Sequence, residues 1–297
     1  MSLRVIHDGP WLLGEAPHWD AATSTLYWVD IAGRLVLAWR EGEAQPRRWR
    51  TPEPVSAAIP CRDGRLLLTL ASGTALLDPS SGALVRWRAL ESPELGNRAN
   101  EARCDAHGRL WVATMQNNLG PDGEGIPVTC ASGALHSLDG GGLAQNWVSG
   151  VGIGNTLAWS PDGRTLYFAD SLANRIDAWT FDVERGALSD RRPFVDGGPG
   201  EPDGSAVDAE GCLWNARWGA GRLIRYRPDG RVEREVPLPV RQPSSCVFGG
   251  PELRTLYITS ARIGLAQAAP VDGALLALDV DVPGLPGHGF AGPDPLP

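Results

Sequence analysis

One phrase recurs six times along this chain: a polar turn, usually carrying Asp and Gly, and then a strand that opens on Leu and continues with aromatic or aliphatic residues. It reads Leu26-Tyr27-Trp28, Leu66-Leu67-Leu68, Leu110-Trp111-Val112, Leu166-Tyr167-Phe168, Leu213-Trp214-Asn215 and Leu256-Tyr257-Ile258. The six Leu positions lie 40, 44, 56, 47 and 43 residues apart, the spacing of four-stranded propeller blades. Each copy runs on into a second apolar strand, such as Arg34-Leu35-Val36-Leu37-Ala38-Trp39 or Arg222-Leu223-Ile224-Arg225-Tyr226, and Asp-Pro, Pro-Asp-Gly or Ser-Gly turns suited to hairpins follow many of them. No long stretch has helical period. The pattern predicts an all-β chain folded as one six-bladed β-propeller, residues 1–297 forming a single domain. A β-helix would want shorter, more regular coils, and two separate sandwiches would not require a shared period. A ring of blades must also close. Leu3 to His7 precedes the first copy with no partner of its own, so it is expected to pair with the strand near Ala274 to Val280 as the outer strand of the sixth blade, hiding two exposed edges.

Composition narrows the partners. The 297 residues include 42% hydrophobic and 21% charged side chains, enough for a sizeable core. A formal net charge of -8 and no Lys/Arg-rich run argue against nucleic acid and anionic membranes, which need a basic face. No apolar run approaches the length of a membrane span, and the N-terminal residues lack the apolar core of a signal peptide, so a cytoplasmic protein is expected, either a monomer or a weak dimer. Five widely spaced cysteines without a CxxC pair give neither a disulfide framework nor a thiolate zinc site. The Pro- and Gly-rich run from Pro283 to Pro297 is expected to be loosely ordered. The longest interval, Leu110 to Leu166, contains the turn-rich loop from Gln116 to Thr129, and a long loop on a rigid repeat is a place for function.

Following one residue through all six copies exposes the chemistry. Ten or eleven positions before each repeat Leu stand Glu15, Ser56, Asn100, Asn155, Asp203 and Ser245, an oxygen-bearing side chain every time. Innermost strands line a propeller's central channel, so Glu15, Asn155 and Asp203, with Asn100 nearby, should converge. Two converging carboxylates resist joint ionisation unless a positive charge lies between them. Carboxylate and amide oxygens without thiolate or imidazole suit one divalent cation of the hard class, Ca²⁺, Mg²⁺ or Mn²⁺, with Fe²⁺ and Zn²⁺ as further candidates. Singly, such residues are common caps of turn backbones; shared register across blades is what capping does not require. Beside them, Arg98 could fork onto a ligand oxygen and Glu101 could accept hydroxyl groups. Asn97, Asn100, Glu101, Asn117 and Asn118 together make the expected mouth polar. No G-x-S-x-G elbow or Ser-His spacing suggests an acyl-enzyme.

The residues resemble the gluconolactonase/regucalcin (senescence marker protein) family through Gly14-Glu15-Ala16-Pro17-His18-Trp19, Asn97-Arg98-Ala99-Asn100-Glu101, Gly154-Asn155-Thr156-Leu157, Pro202-Asp203-Gly204 and Ser245-Cys246-Val247-Phe248-Gly249-Gly250, in order along nearly the whole chain. The resemblance implies a six-bladed propeller with one divalent metal and hydrolysis of sugar (aldono)lactones. It also implies Glu15, Asn155 and Asp203 as metal ligands, Asp203 as general base, and Arg98, Asn100 and Glu101 as substrate contacts; from the site itself, Asn118 is expected to read hydroxyl groups as well, and Glu101 is the alternative base. Many relatives carry Asp at the position of Glu101, and some carry an acidic residue where this chain has Asn117-Asn118, which bears on sugar preference more than on reaction type. The competing readings are an esterase for aryl or phosphate esters and a non-catalytic binding propeller.

Overall fold

The computed structural model describes residues 2–293. Its strands form six four-stranded antiparallel sheets, and among the described residues the helical content is one 3₁₀ turn at Pro93–Leu95, with no helix long and apolar enough to cross a membrane. The inner strands of the successive blades are Gly14–Asp20, Val55–Pro60, Asn97–Cys104, Gly154–Trp159, Glu201–Val207 and Pro243–Gly249. Each repeat Leu opens or nearly opens the second strand of its blade and is at most 1% exposed, which is why the phrase is so regular: a fixed slot between neighbouring blades accepts a branched aliphatic side chain and little else.

The turn Asp of the phrase has a bonding role. Asp105 accepts the indole N–H of Trp111 at 3.0 Å, and Asp208 accepts that of Trp214 at 2.9 Å while also taking the Cys212 amide. A buried indole needs such a partner. The closing strand behaves as expected: Leu3–His7 lies antiparallel to Leu275–Asp279, with Leu3 opposite Leu278 and Val5 opposite Leu276.

The C-terminal run departs from its expected looseness. Pro283 accepts the Ala209 amide, Gly284 donates to Leu253, Phe290 donates to Pro60 and Ala291 to Gly108, so residues 283–291 cross from blades five and six to blades two and three. Phe290 is fully buried, 5.2 Å from the Trp87 ring. A Cβ on Gly284 would meet Phe248 at 1.9 Å: glycine there serves close approach rather than flexibility. Residues 294–297 of the run lie outside the described residues.

Candidate metal and substrate site

A β-bulge interrupts every inner strand at the level of the polar ring. The register skips between Glu15 and His18, Val55 and Ala57, Ala99 and Glu101, Asn155 and Ala158, Pro202 and Ser205, and Pro243 and Ser245. A bulge adds an unpaired residue and re-aims nearby side chains, so the spacing found in the sequence falls on or beside the bulge in each of the six blades. In blades one and four the residue after the ring position, Ala16 and Thr156, has a φ of 45° and 49°, left-handed conformations that cost non-glycine residues energy and gather at functional sites. Gly204 follows Asp203 because a Cβ there would meet the Ser245 hydroxyl at 2.0 Å.

Four of the six ring residues reach one cavity of about 370 Å³: Glu15, Asn100, Asn155 and Asp203, joined by Arg98 and Asn118. The other two turn elsewhere. Ser56 bonds the Thr69 hydroxyl at 2.8 Å. In blade six the bulge falls on Ser244, whose hydroxyl bonds Thr259 at 2.9 Å and donates to the Gly14 carbonyl, so Ser244 rather than Ser245 is the counterpart of Ser56. A ten- or eleven-residue count could not resolve that one-residue shift.

The convergent side chains are cross-braced between blades. Asn100 donates to the Gly154 carbonyl and to Asn155 Oδ1, both at 3.1 Å; Asn155 donates to Ser171 at 2.8 Å; Ser171 donates to the Pro202 carbonyl. Asn215 and Thr156 both donate to the Asp203 carbonyl. Arg98, 2% exposed, holds Asn118 Oδ1 with Nε at 3.0 Å and Nη2 at 2.7 Å, and Asn100 Oδ1 with Nη1 at 2.7 Å. Three of the four expected substrate contacts, Arg98, Asn100 and Asn118, therefore form one unit. Burial draws the guanidinium down to about 10, which leaves it cationic at neutral pH.

Glu15 and Asp203 are 8% and 6% exposed, yet among the described residues neither has a side-chain donor or an ion pair. Glu15 accepts only the Ala16 amide, and burial, with the charge of Glu101, pushes its carboxyl up to about 8. Burial, then Glu15 and Glu101, pushes Asp203 well above the carboxylate range. Two buried carboxyls that repel each other and lack a cationic contact match a divalent cation in charge, and the Asn155 amide oxygen supplies a neutral third donor. Among the described residues no group of three His, Cys, Asp or Glu side chains could hold a metal, so the amide is needed to complete the set.

Glu101 is not brought into this mouth. It is 2% exposed, accepts the Ala102 amide at 2.9 Å and faces Arg103 at 3.8 Å. The bulge at Asn100 separates the two: Asn100 lines the mouth, whereas Glu101 lines neither it nor the cavity at the other end of the inner strands, which Arg103 lines. Asn97 and Asn117 are also absent from the mouth, Asn97 bonding Glu91 and Ser132 and Asn117 bracing its own loop at Leu119. Leu13, Ile31, Ile126, Ile153, Trp218 and Ile263 are there instead, and the mouth is less polar than the sequence suggested.

Sequence reasoning also missed Asp30 and Asp170. Asp30 accepts the amides of Leu12, Leu13 and Gly33 and Asp170 those of Gly152 and Ile153, fixing the backbone just before Glu15 and Asn155. Both stand four residues after a repeat Leu, where Thr114, Arg217 and Ser260 stand in other blades; following that second register would have found them. Glu201 and Gln242 also line the mouth, and they too are in register: Glu201 stands two residues before Asp203 as Arg98 does before Asn100, Leu13 before Glu15, Ile153 before Asn155 and Gln242 before Ser244.

A profile described as the SMP-30/Gluconolactonase/LRE-like region matches residues 13–262. The chain belongs to this family. Over 98% of its length and 99% of the other protein it is 35% identical to a 6-deoxy-6-sulfogluconolactonase of Pseudomonas putida. With an L-arabinolactonase of Azospirillum brasilense it shares 38% identity, covering 88% of this chain and 84% of that one. A crystal structure of a calcium-binding protein, regucalcin, from Agrobacterium tumefaciens strain C58 superposes with a TM-score of 0.90 at 31% identity, covering 97% of each chain. That family member has the same propeller over its full length, and the six-bladed fold described above is the family's fold.

Proposed function

We propose that this chain hydrolyses a sugar lactone to the corresponding aldonic acid, with Glu15, Asn155 and Asp203 holding one divalent cation and Asp203 acting as general base. The observation that carries the reading is the pair of buried carboxyls, Glu15 and Asp203, without a cationic contact in a mouth that also holds Arg98, Asn100 and Asn118. Family membership and the names of the lactonase relatives support it. A cation bound there supplies Lewis acidity to the lactone carbonyl and the positive charge that returns Asp203 to its carboxylate form.

The remaining steps belong to the protein. Asp203 takes a proton as a water oxygen bonds to the carbonyl carbon. The ring C–O bond then breaks, a proton is delivered to the departing alkoxide, and a carboxylic acid and a free hydroxyl result. Arg98 orients the Asn100 and Asn118 amides, leaving the Asn118 amide N–H groups and one lone pair of Asn100 Oδ1 to meet sugar hydroxyls, and holds a positive charge near the developing oxyanion. Glu101, outside the mouth, is left to shape the field on Glu15 and Asp203. The apolar wall keeps one rival alive, an esterase for aryl esters.

The test is a panel of pentono- and hexonolactones and aryl esters assayed after chelation and cation add-back, on wild type and Asp203→Asn. Lactone turnover should exceed aryl-ester turnover, require the cation, and fall by about 10²-fold or more in the variant. A fully metal-loaded Asp203→Asn protein near the wild-type rate removes Asp203 as base, and a preference for aryl esters removes the lactone.

A further inference from the structure

Glu201 is the acidic side chain of the mouth that the proposed chemistry does not use. It opens the inner strand of blade five, two residues before Asp203, and is solvent-exposed where Pro202 and Asp203 are buried. Its carboxylate makes no hydrogen bond or ion pair. The nearest opposing charge acting on it, Arg217, is fully buried and turned to the Pro199, Gly197 and Gly200 carbonyls and to Asn174. Two acceptor oxygens are thus presented at the rim, free to take hydroxyl protons.

Beyond the buried Arg98, the described lining residues offer an anion no cation. Four of the five guanidinium N–H groups are committed to Asn118, Asn100 and the Ala99 carbonyl on the inner side. Around it, Leu13, Ile31, Ile126 and Ile263 offer hydrocarbon. A sulfonate or phosphate at the chain end of a lactone would therefore lie against apolar side chains or against Glu201. Either contact strips hydration from a charge without a partner, and the second adds like-charge repulsion.

Resting on the lactonase reading, we infer that Glu201 is a specificity-determining residue that accepts substrate hydroxyls and excludes lactones bearing an anionic terminal group, so that the substrate is an uncharged aldonolactone. This separates the chain in substrate class from the relative named as acting on a 6-sulfonated gluconolactone, despite 35% identity. Discrimination by repulsion needs only one such group at the rim.

The experiment compares kcat/KM for D-gluconolactone and its 6-deoxy-6-sulfo analogue on the cation-loaded wild type, Glu201→Gln and Glu201→Lys, with melting temperature and metal content measured on each. Wild type should prefer the uncharged lactone by about tenfold or more. Glu201→Gln should shrink the ratio several-fold, and Glu201→Lys should shrink it further or invert it. Equal use of both lactones by wild type overturns the inference, and so does a ratio unmoved in two folded, metal-loaded variants. Hydrolysis by wild type of neither lactone, nor of any other pentono- or hexonolactone of the panel, would instead sink the lactonase reading itself.

Discussion

Stripping divalent cations from the protein should make its stability fall as the pH rises through neutrality. In the folded chain the Glu15 carboxyl sits at about 8 against an ordinary 4.5, and Asp203 is held well above its ordinary 3.8, burial being the largest cause for both. An acid whose folded-state pKa is raised keeps a proton that the unfolded chain has released. The folded state then binds more protons, and stability declines with pH from about 4.5 toward about 8. Each such group contributes up to about 1.4 kcal/mol per pH unit while only the folded state holds its proton, so Glu15 should lower stability by about 1 kcal/mol between pH 7 and 8, with Asp203 adding to the decline. Glu101 and Glu201, also raised by burial, push in the same direction. His7, His18 and His288 are lowered from 6.5 by burial and act with the opposite sign, but only below about pH 6.5. The interval from pH 7 to 8 therefore isolates the carboxyls. The assay is the urea midpoint at pH 7.0, 7.5 and 8.0 in chelator and in excess Ca²⁺ or Mn²⁺. With chelator the midpoint should drop steadily; with cation the decline should flatten, and Asp203→Asn should reduce it in chelator. A flat or rising profile in chelator, or a slope indifferent to cation, would refute the argument that these two carboxyls await a positive charge.

Two further outcomes follow from the geometry. Arg98→Ala should leave metal content near wild type while raising KM and lowering kcat/KM, because it frees Asn100 and Asn118 from the guanidinium that orients them; metal analysis and steady-state lactone kinetics on the same samples check both halves. Phe290→Ala should destabilise the fold by about 3–5 kcal/mol, the usual cost of emptying a fully buried aromatic site, measured by denaturant unfolding in the cation-loaded protein. A loss under about 1 kcal/mol would mean that the C-terminal run contributes little to holding the ring.

What the sequence determined by itself is what repetition enforces. Six turn-plus-Leu phrases specify six blades because each copy fills the same slot between neighbours, and an unpartnered Leu3–His7 specifies where the ring closes because a propeller leaves only that edge open. The same period located Glu15, Asn100, Asn155 and Asp203, since inner-strand residues in register must face a common axis. Tertiary structure alone decided the rest, and the reason is local geometry that a residue count does not carry. The bulge at Asn100 places that side chain in the mouth and leaves Glu101 outside it, and a one-residue offset puts Ser244 where counting gives Ser245. Asn97 and Asn117 look like mouth residues by proximity in sequence but are spent on bracing loops, while Ile126 and Ile263 arrive from positions with no periodic mark. The run from 283 to 291 reads as loose by composition, yet its Gly284 and Phe290 are fixed by contacts with residues 31 to 230 positions away in the chain. Period 2 along a strand and a fixed spacing between blades are written into one dimension; which side chain a bulge turns inward, and which distant backbone a glycine lies against, exist only in three.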